Sequence, residues 1–128
     1  DQRADQKRVP VMLGSFDEMT EVFVNIVENA IKYGFENTAI EISIFEVSSN
    51  HLQIDVTNYG EGIEERHLPR LTERFYRVDK ARSRQIGGTG LGLAIVKHIV
   101  SRHRGTMSVT SKLNDVTKFS IKLPLIHR

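Results

Sequence analysis

Asn25, Asn29 and Lys32 lie within NIVENAIKY (25–33), and on a helix they fall within about 60° of one another. The wedge is roughly opposite the apolar stripe Phe16, Met19, Phe23, Ile26, Val27 and Ala30, so it is not a core face. Two asparagines one turn apart cost helix stability. Their amide oxygens can ligand a hard cation and a lysine can meet phosphate, which suits a magnesium–nucleotide complex; a polar face turned to water is the alternative. A second group, Gly87-Gly88-Thr89-Gly90-Leu91-Gly92, puts four of the chain's nine glycines into six residues and runs into an apolar-periodic helix. Glycine lets backbone N–H groups approach a ligand and the helix N-terminus adds partial positive charge, so an anion such as phosphate is favoured; a hinge would have the same composition. No Gly-Lys-Ser/Thr follows, so it is not a P-loop, and the charged DKARSRQ before it is not the buried strand a dinucleotide fingerprint needs. The third group, Asn58-Tyr59-Gly60-Glu61-Gly62-Ile63, ends a strand. Its spaced glycines suggest close backbone approach to something flat or bulky with Asn58 aimed at it, or a plain turn.

The elements that must position these groups follow from periodicity. Residues 1–8 are polar without a period and read as a disordered lead-in, and VPVML (9–13) is a short strand candidate. Phe16 to about Tyr33 has the helical period, with Ser15 and Glu18 spaced as a capping box. AIEISIFEV (39–47) and LQIDVTN (52–58) alternate and are joined by a polar turn, so they read as a hairpin. Between Tyr59 and Gly90 the chain is mostly polar apart from a helical patch at His67–Phe75, and a connection this long suggests a lid or binding loop. A helix from Leu91 to about His103 ends at Gly105, and MSVTS and VTKFSIKLP form a second hairpin.

With 128 residues, 39% of them hydrophobic, the chain suits one domain. The absence of cysteine excludes a disulfide scaffold, a Cys-ligated metal and a thiolate nucleophile, and suits a reducing compartment. No run approaches the ~20 apolar residues of a membrane span, and the N-terminus lacks an apolar signal core. A net charge of +2 is too small to argue for nucleic acid by bulk electrostatics, and no nucleic-acid partner is expected. Between Arg66 and Arg84, however, seven basic residues meet two acids, so an anion could dock there unless the stretch is simply solvated.

NIVENAIKY, NYGEGI, RFYRVD and GGTGLGLAIVKHI occur in this order, and together they resemble the catalytic ATP-binding domain of bacterial sensor histidine kinases, within the gyrase, heat-shock chaperone, kinase and MutL superfamily. The stretch from Leu68 to Gly105 is most similar to the phosphate-regulon sensor kinases. The resemblance spans about Val9 to Pro124 and implies a catalytic domain over 9–125. It implies the Bergerat fold, an α/β two-layer sandwich in which a mixed five-stranded β-sheet is backed by three α-helices and ATP lies under a mobile lid.

Carried over by position, the resemblance implies that Asn29 ligands Mg2+ with Asn25 beside it, and that Lys32 and Tyr33 lie near the phosphates and nucleoside. Asn58 stands where the family usually has an aspartate that accepts from the adenine amino group, within a box that includes Gly60, Gly62 and Ile63. Phe75 and Tyr76 would close the pocket while Arg77 and Arg74 reach the phosphates. Gly88, Thr89, Gly90, Leu91, Gly92 and Leu93 match the phosphate-binding glycine box. Thr117 would frame adenine, although the glycine common before it is replaced by Asn114-Asp115-Val116. Superfamily ATPases place a glutamate base where this chain has Asn25, which cannot act as one near neutral pH. Asn25, Lys32 and Arg77 are therefore the expected catalytic set for phosphotransfer rather than hydrolysis.

None of His51, His67, His98, His103 or His127 sits in an acid-flanked helical context, so the acceptor histidine is expected on a separate dimerisation domain of the same protein. The expected whole is a homodimer anchored in the inner membrane, this part being cytoplasmic and monomeric, with a response regulator downstream. The competing expectations are a regulatory module that holds nucleotide without transferring it, and a superfamily serine kinase or ATPase.

Overall fold

The computed structural model describes residues 14–77 and 92–126. Helix α1 (Phe16–Tyr33) leads into strands β1 (Glu41–Ser48) and β2 (His51–Tyr59). A 3-10 helix (Glu65–Arg70), helix α2 (Gly92–Arg102) and strands β3 (Thr106–Ser111) and β4 (Val116–Pro124) follow. The strands form one sheet in the order β1-β2-β4-β3, every pair antiparallel. Where a mixed five-stranded sheet is expected, the described residues thus form four antiparallel strands. The candidate strand at 9–13 lies outside the described residues.

Two α-helices rather than three back the sheet among the described residues. The patch expected at His67–Phe75 is instead the 3-10 helix. Pro69 lies inside it, lacks an N–H donor and would clash with the carbonyl four residues earlier, which disfavours an α-helix there.

Ser15 begins α1 by accepting the Glu18 N–H at 3.2 Å. The capping box is only half made, because the Glu18 carboxylate instead pairs with Arg102. Ser15 N–H donates to His103 Nε2 at 3.1 Å, and His103 Nδ1 lies 2.8 Å from the Ile99 carbonyl. A neutral ring protonated on Nδ1 satisfies both contacts, tying the start of α1 to the end of α2. That end closes by bonds from Arg104 N–H to Ser101 and Gly105 N–H to Val100, a Schellman arrangement. Arg104, at φ 61°, takes the left-handed turn; Gly105 is needed because a Cβ would meet the Lys122 carbonyl at 2.6 Å.

The core joins Val22, Ile26 and Ala30 of α1 to Val96, Ile99 and Val100 of α2, over Ile54 and Val56 of β2 and Phe119, Ile121 and Leu123 of β4. These strand positions alternate, so one face of each strand is apolar. Phe16, expected in the helical stripe, is 84% exposed, whereas Val22 is fully buried. Ile42 and Ile44 sit opposite Val56 and Ile54 and so face the helical side, yet they are 56% and 64% exposed. The helices cover the inner strands and leave β1 bare.

Candidate functional site

Asn25 and Asn29 are half-buried on α1 and Lys32 is exposed. The Asn25 amide donates to the Glu21 carbonyl one turn back, at 2.8 Å. That bond leaves its oxygen against the first residue of α2: a Cβ on Gly92 would lie 2.9 Å from Asn25 Oδ1. Asn25 therefore meets the first residue of α2, at the helix end where backbone N–H groups and partial positive charge gather. Leu93, beside Gly92, is half-buried against the core.

Residues at one parity of β2 point into the core, which buries Asn58 to 5% exposure and its cross-strand partner Thr117 to 4%. The Thr117 hydroxyl is hydrogen-bonded to Ser111 Oγ at 2.7 Å, and Ser111 Oγ accepts the Ile63 N–H at 2.9 Å. Asn58 also lines a cleft of 430 Å³ with Ala30, Ile31, Gly34, Phe35 and Thr38 among its walls. Tyr59, of opposite parity, faces away and donates to Glu41 Oε1 at 2.7 Å. That bond, with the negative charge of Glu41, raises the Tyr59 phenol above its ordinary value.

The spaced glycines do mark close approach, and what comes close is the chain itself. Gly60 is bridged to Gly34 just beyond α1, and a Cβ on it would lie 2.5 Å from the Tyr33 carbonyl oxygen. Gly62 has φ 81° and packs on the β3–β4 turn, where a Cβ would lie 2.9 Å from the Lys112 carbonyl. Further bonds from Gly60 N–H to the Asp115 carbonyl, at 3.0 Å, and from Asn114 N–H to the Glu61 carbonyl, at 2.8 Å, fasten this segment to the same turn. Asn114 supplies a left-handed residue there, at φ 58°, a conformation asparagine tolerates.

Tyr33 and Ile63 are half-buried. Phe75 is 58% exposed with φ 66°; Tyr76 and Arg77 are half-buried. The described part of the basic stretch is engaged within the chain: Arg66 pairs with Glu64 at 3.2 Å and Arg70 with Glu73 at 3.1 Å, while Arg74 lies over the Phe75 ring at 5.4 Å. Gly88, Thr89, Gly90 and Leu91, and most of the expected lid, lie outside the described residues. The structure thus brings Asn25 to Gly92, and Asn58 to Thr117.

Ser111 and Gly34 escape the sequence reading. Hairpin register, with Thr117 opposite Ser111 across the turn at 112–115, is the signal that finds the first. Gly34 carries none, because its partner Gly60 is remote in sequence.

Among the described residues no group of three or more His, Cys, Asp or Glu converges. A magnesium ion would draw on amide and phosphate oxygens, a ligand set that a cation usually bound through substrate phosphates accepts.

Comparison with known proteins agrees with this architecture. The phosphate regulon sensor protein PhoR of Pseudomonas aeruginosa is 48% identical over 99 residues, 77% of this chain and 22% of that protein. The sensor-like histidine kinase SenX3 of Mycolicibacterium smegmatis is 42% identical over 113 residues, 88% of this chain and 29% of that protein. The chain thus spans between a fifth and a third of the length of these relatives. The mycobacterial sensor histidine kinase MprB superposes with a TM-score of 0.80 at 26% identity, covering 91% of this chain and 76% of that one. Full-length ShkA in complex with AMPPNP gives the same TM-score at 22% identity over 94% of this chain and 24% of that one, a likeness of fold alone. Residues 14–127 match the family described as histidine kinase-, DNA gyrase B- and HSP90-like ATPases, and the chain belongs to that family.

Proposed function

We propose that this domain binds Mg-ATP and donates the γ-phosphate to a histidine on a separate dimerisation domain of the same protein, in two-component signalling. The observation that carries this reading is the placement of Asn58, a buried amide lining an open cleft at the end of β2. Its carbonyl would accept from the adenine amino group, with Thr117 as its polar neighbour. Asn29 would hold magnesium, which when bound neutralises charge building on the phosphates. Lys32, Arg74 and Arg77 would meet phosphate oxygens, and Phe75 and Tyr76 would cover the nucleotide. The acceptor imidazole nitrogen forms a bond to the γ-phosphorus as the bridging P–O bond to ADP breaks, and ADP leaves.

Asn25 favours transfer over hydrolysis, because its NH2 group is occupied by the Glu21 carbonyl and its oxygen is not basic at neutral pH. A homodimeric whole, a downstream response regulator and a cytoplasmic position beside the inner membrane belong to the same proposal. Among the described residues no helix is long and apolar enough to cross a membrane.

Incubated with labelled Mg-ATP, the chain should neither label itself nor turn over ATP appreciably. It should slowly label an added dimerisation hairpin of its subfamily, since the effective concentration given by covalent linkage is absent, and the product should be acid-labile and alkali-stable. Rapid hydrolysis by the chain alone, or acid-stable self-labelling, would overturn this reading.

A further inference from the structure

We propose that His67 and Arg70 are positioning residues that clamp Tyr76 and so hold Phe75–Arg77 in one conformation for nucleotide. The inference rests on the reading of that segment as the one that closes over ATP. In a 3-10 helix, side chains three apart eclipse, so His67 and Arg70 rise together from Glu65–Arg70 toward one aromatic ring. His67 Nδ1 shares a hydrogen bond with the Tyr76 hydroxyl, and the two ring centroids are 5.8 Å apart. The Arg70 guanidinium carbon lies 4.3 Å from the Tyr76 ring centroid, while its Nη2 reaches Glu73 at 3.1 Å. The ring is thus held at its hydroxyl and at its face, and the Tyr76 N–H donates to the Glu73 carbonyl at 3.2 Å.

Phe75, directly before the clamped residue, has φ 66°. A bulky residue adopts this region only where its surroundings over-determine it. Described groups on both sides supply that determination: Leu71, buried at the end of the 3-10 helix, anchors the platform, and the clamp fixes Tyr76. The sequence carries the pattern as His67, Arg70, Glu73 and Tyr76 at intervals of three. Chemically, Arg70 brings a planar cation that stacks on the ring while keeping an edge for the carboxylate, which lysine cannot do.

The test compares hydrogen exchange of amides 71–77 in the parent, His67→Phe, Tyr76→Phe, their double variant, His67→Gln and Arg70→Lys. Each of His67→Phe, Tyr76→Phe and Arg70→Lys should speed exchange roughly two- to tenfold, the weight of one ordinary contact. The double variant should be no faster than its faster single, because both lose the same bond. His67→Gln keeps a polar partner for the hydroxyl and should return exchange to near the parent. Titration with a fluorescent Mg-ATP analogue should rank the variants in the same order, through faster release. Singles that exchange like the parent, fully additive effects, or a His67→Gln variant as fast as His67→Phe would each overturn the clamp. A parent that binds no Mg-ATP would overturn the proposed function instead, while the exchange series would still decide the clamp.

Discussion

Replacing Gly60 with alanine would put a methyl carbon 2.5 Å from the Tyr33 carbonyl oxygen and 3.3 Å from Gly34 Cα. Both are backbone atoms, so no side chain can swing aside, and the end of α1 must move off β2 by roughly 1 Å to reach ordinary contact distance. What resists is the Gly34–Gly60 bridge and the bond from Phe35 N–H to the Tyr59 carbonyl at 2.7 Å. Overpacking of this kind costs about 1–3 kcal/mol and a weakened hydrogen bond adds about 1 kcal/mol. Against this, alanine restricts the unfolded chain and returns about 0.4–1 kcal/mol, since Gly60 is not among the positive-φ glycines. The net expectation is a loss of about 2 kcal/mol, which for a domain of this size lowers Tm by roughly 6–12 °C. Because the same movement shifts Lys32 and Tyr33 relative to Asn58, Mg-ATP affinity should fall as well. Circular-dichroism melts and nucleotide titration measure the two effects. A Gly60→Ala protein that melts within about 1 °C of the parent and binds nucleotide equally well would refute the claim that this contact requires glycine.

Asn29→Ala should abolish magnesium-dependent ATP binding, measured by titration with and without the metal, while changing Tm little, since the side chain lies on the polar wedge rather than in the core. Asn58→Asp should tighten ATP and sharpen its selection over GTP, because a charged acceptor makes a hydrogen bond roughly twice as strong; the free protein should melt lower, because a carboxylate costs more to bury at this position than the neutral amide. Glu41→Gln should return the Tyr59 phenol toward its ordinary value, followed by ultraviolet titration at alkaline pH. The raised folded value means that the contact's contribution to stability is complete below about pH 10 and is lost as pH rises through the folded value, so parent and Glu41→Gln stabilities should converge there.

Local period was enough for α1, whose observed span is Phe16–Tyr33, and for β4, which occupies the VTKFSIKLP run. Both elements owe their limits to nearby residues: Ser15 starts the helix, and alternation sets the strand face. What the sequence hid depends on contacts between distant segments. Periodicity marks Phe16, Ile42 and Ile44 as apolar positions on the right faces but says nothing about what covers them. The candidate site divides along the same line. Asn25, Asn29 and Lys32 were legible because one helix sets their angles, and Asn58 because it ends an alternating strand. Gly34 and the reason for Gly60 were not, because each is defined by a neighbour remote in sequence, and Ser111 could be found only through the register of the β3–β4 hairpin.

The same division bears on how the two ends of the site are held. Asn58 is fixed by the sheet: its backbone pairs with Thr117, and the glycine bridge presses the end of α1 against the next turn of chain. Asn25 is fixed differently, between its own helix, through the Glu21 carbonyl, and the start of α2, through Gly92. The α1–α2 seam is in turn tied at its far end by Ser15 to His103 and by Glu18 to Arg102. A displacement of α2 relative to α1 would therefore change the surroundings of Asn25 without moving Asn58. On the proposed function this separates base reading from phosphate chemistry, because the first depends on strands that pair along their whole length and the second on a helix seam held by core packing and by polar ties at its far end.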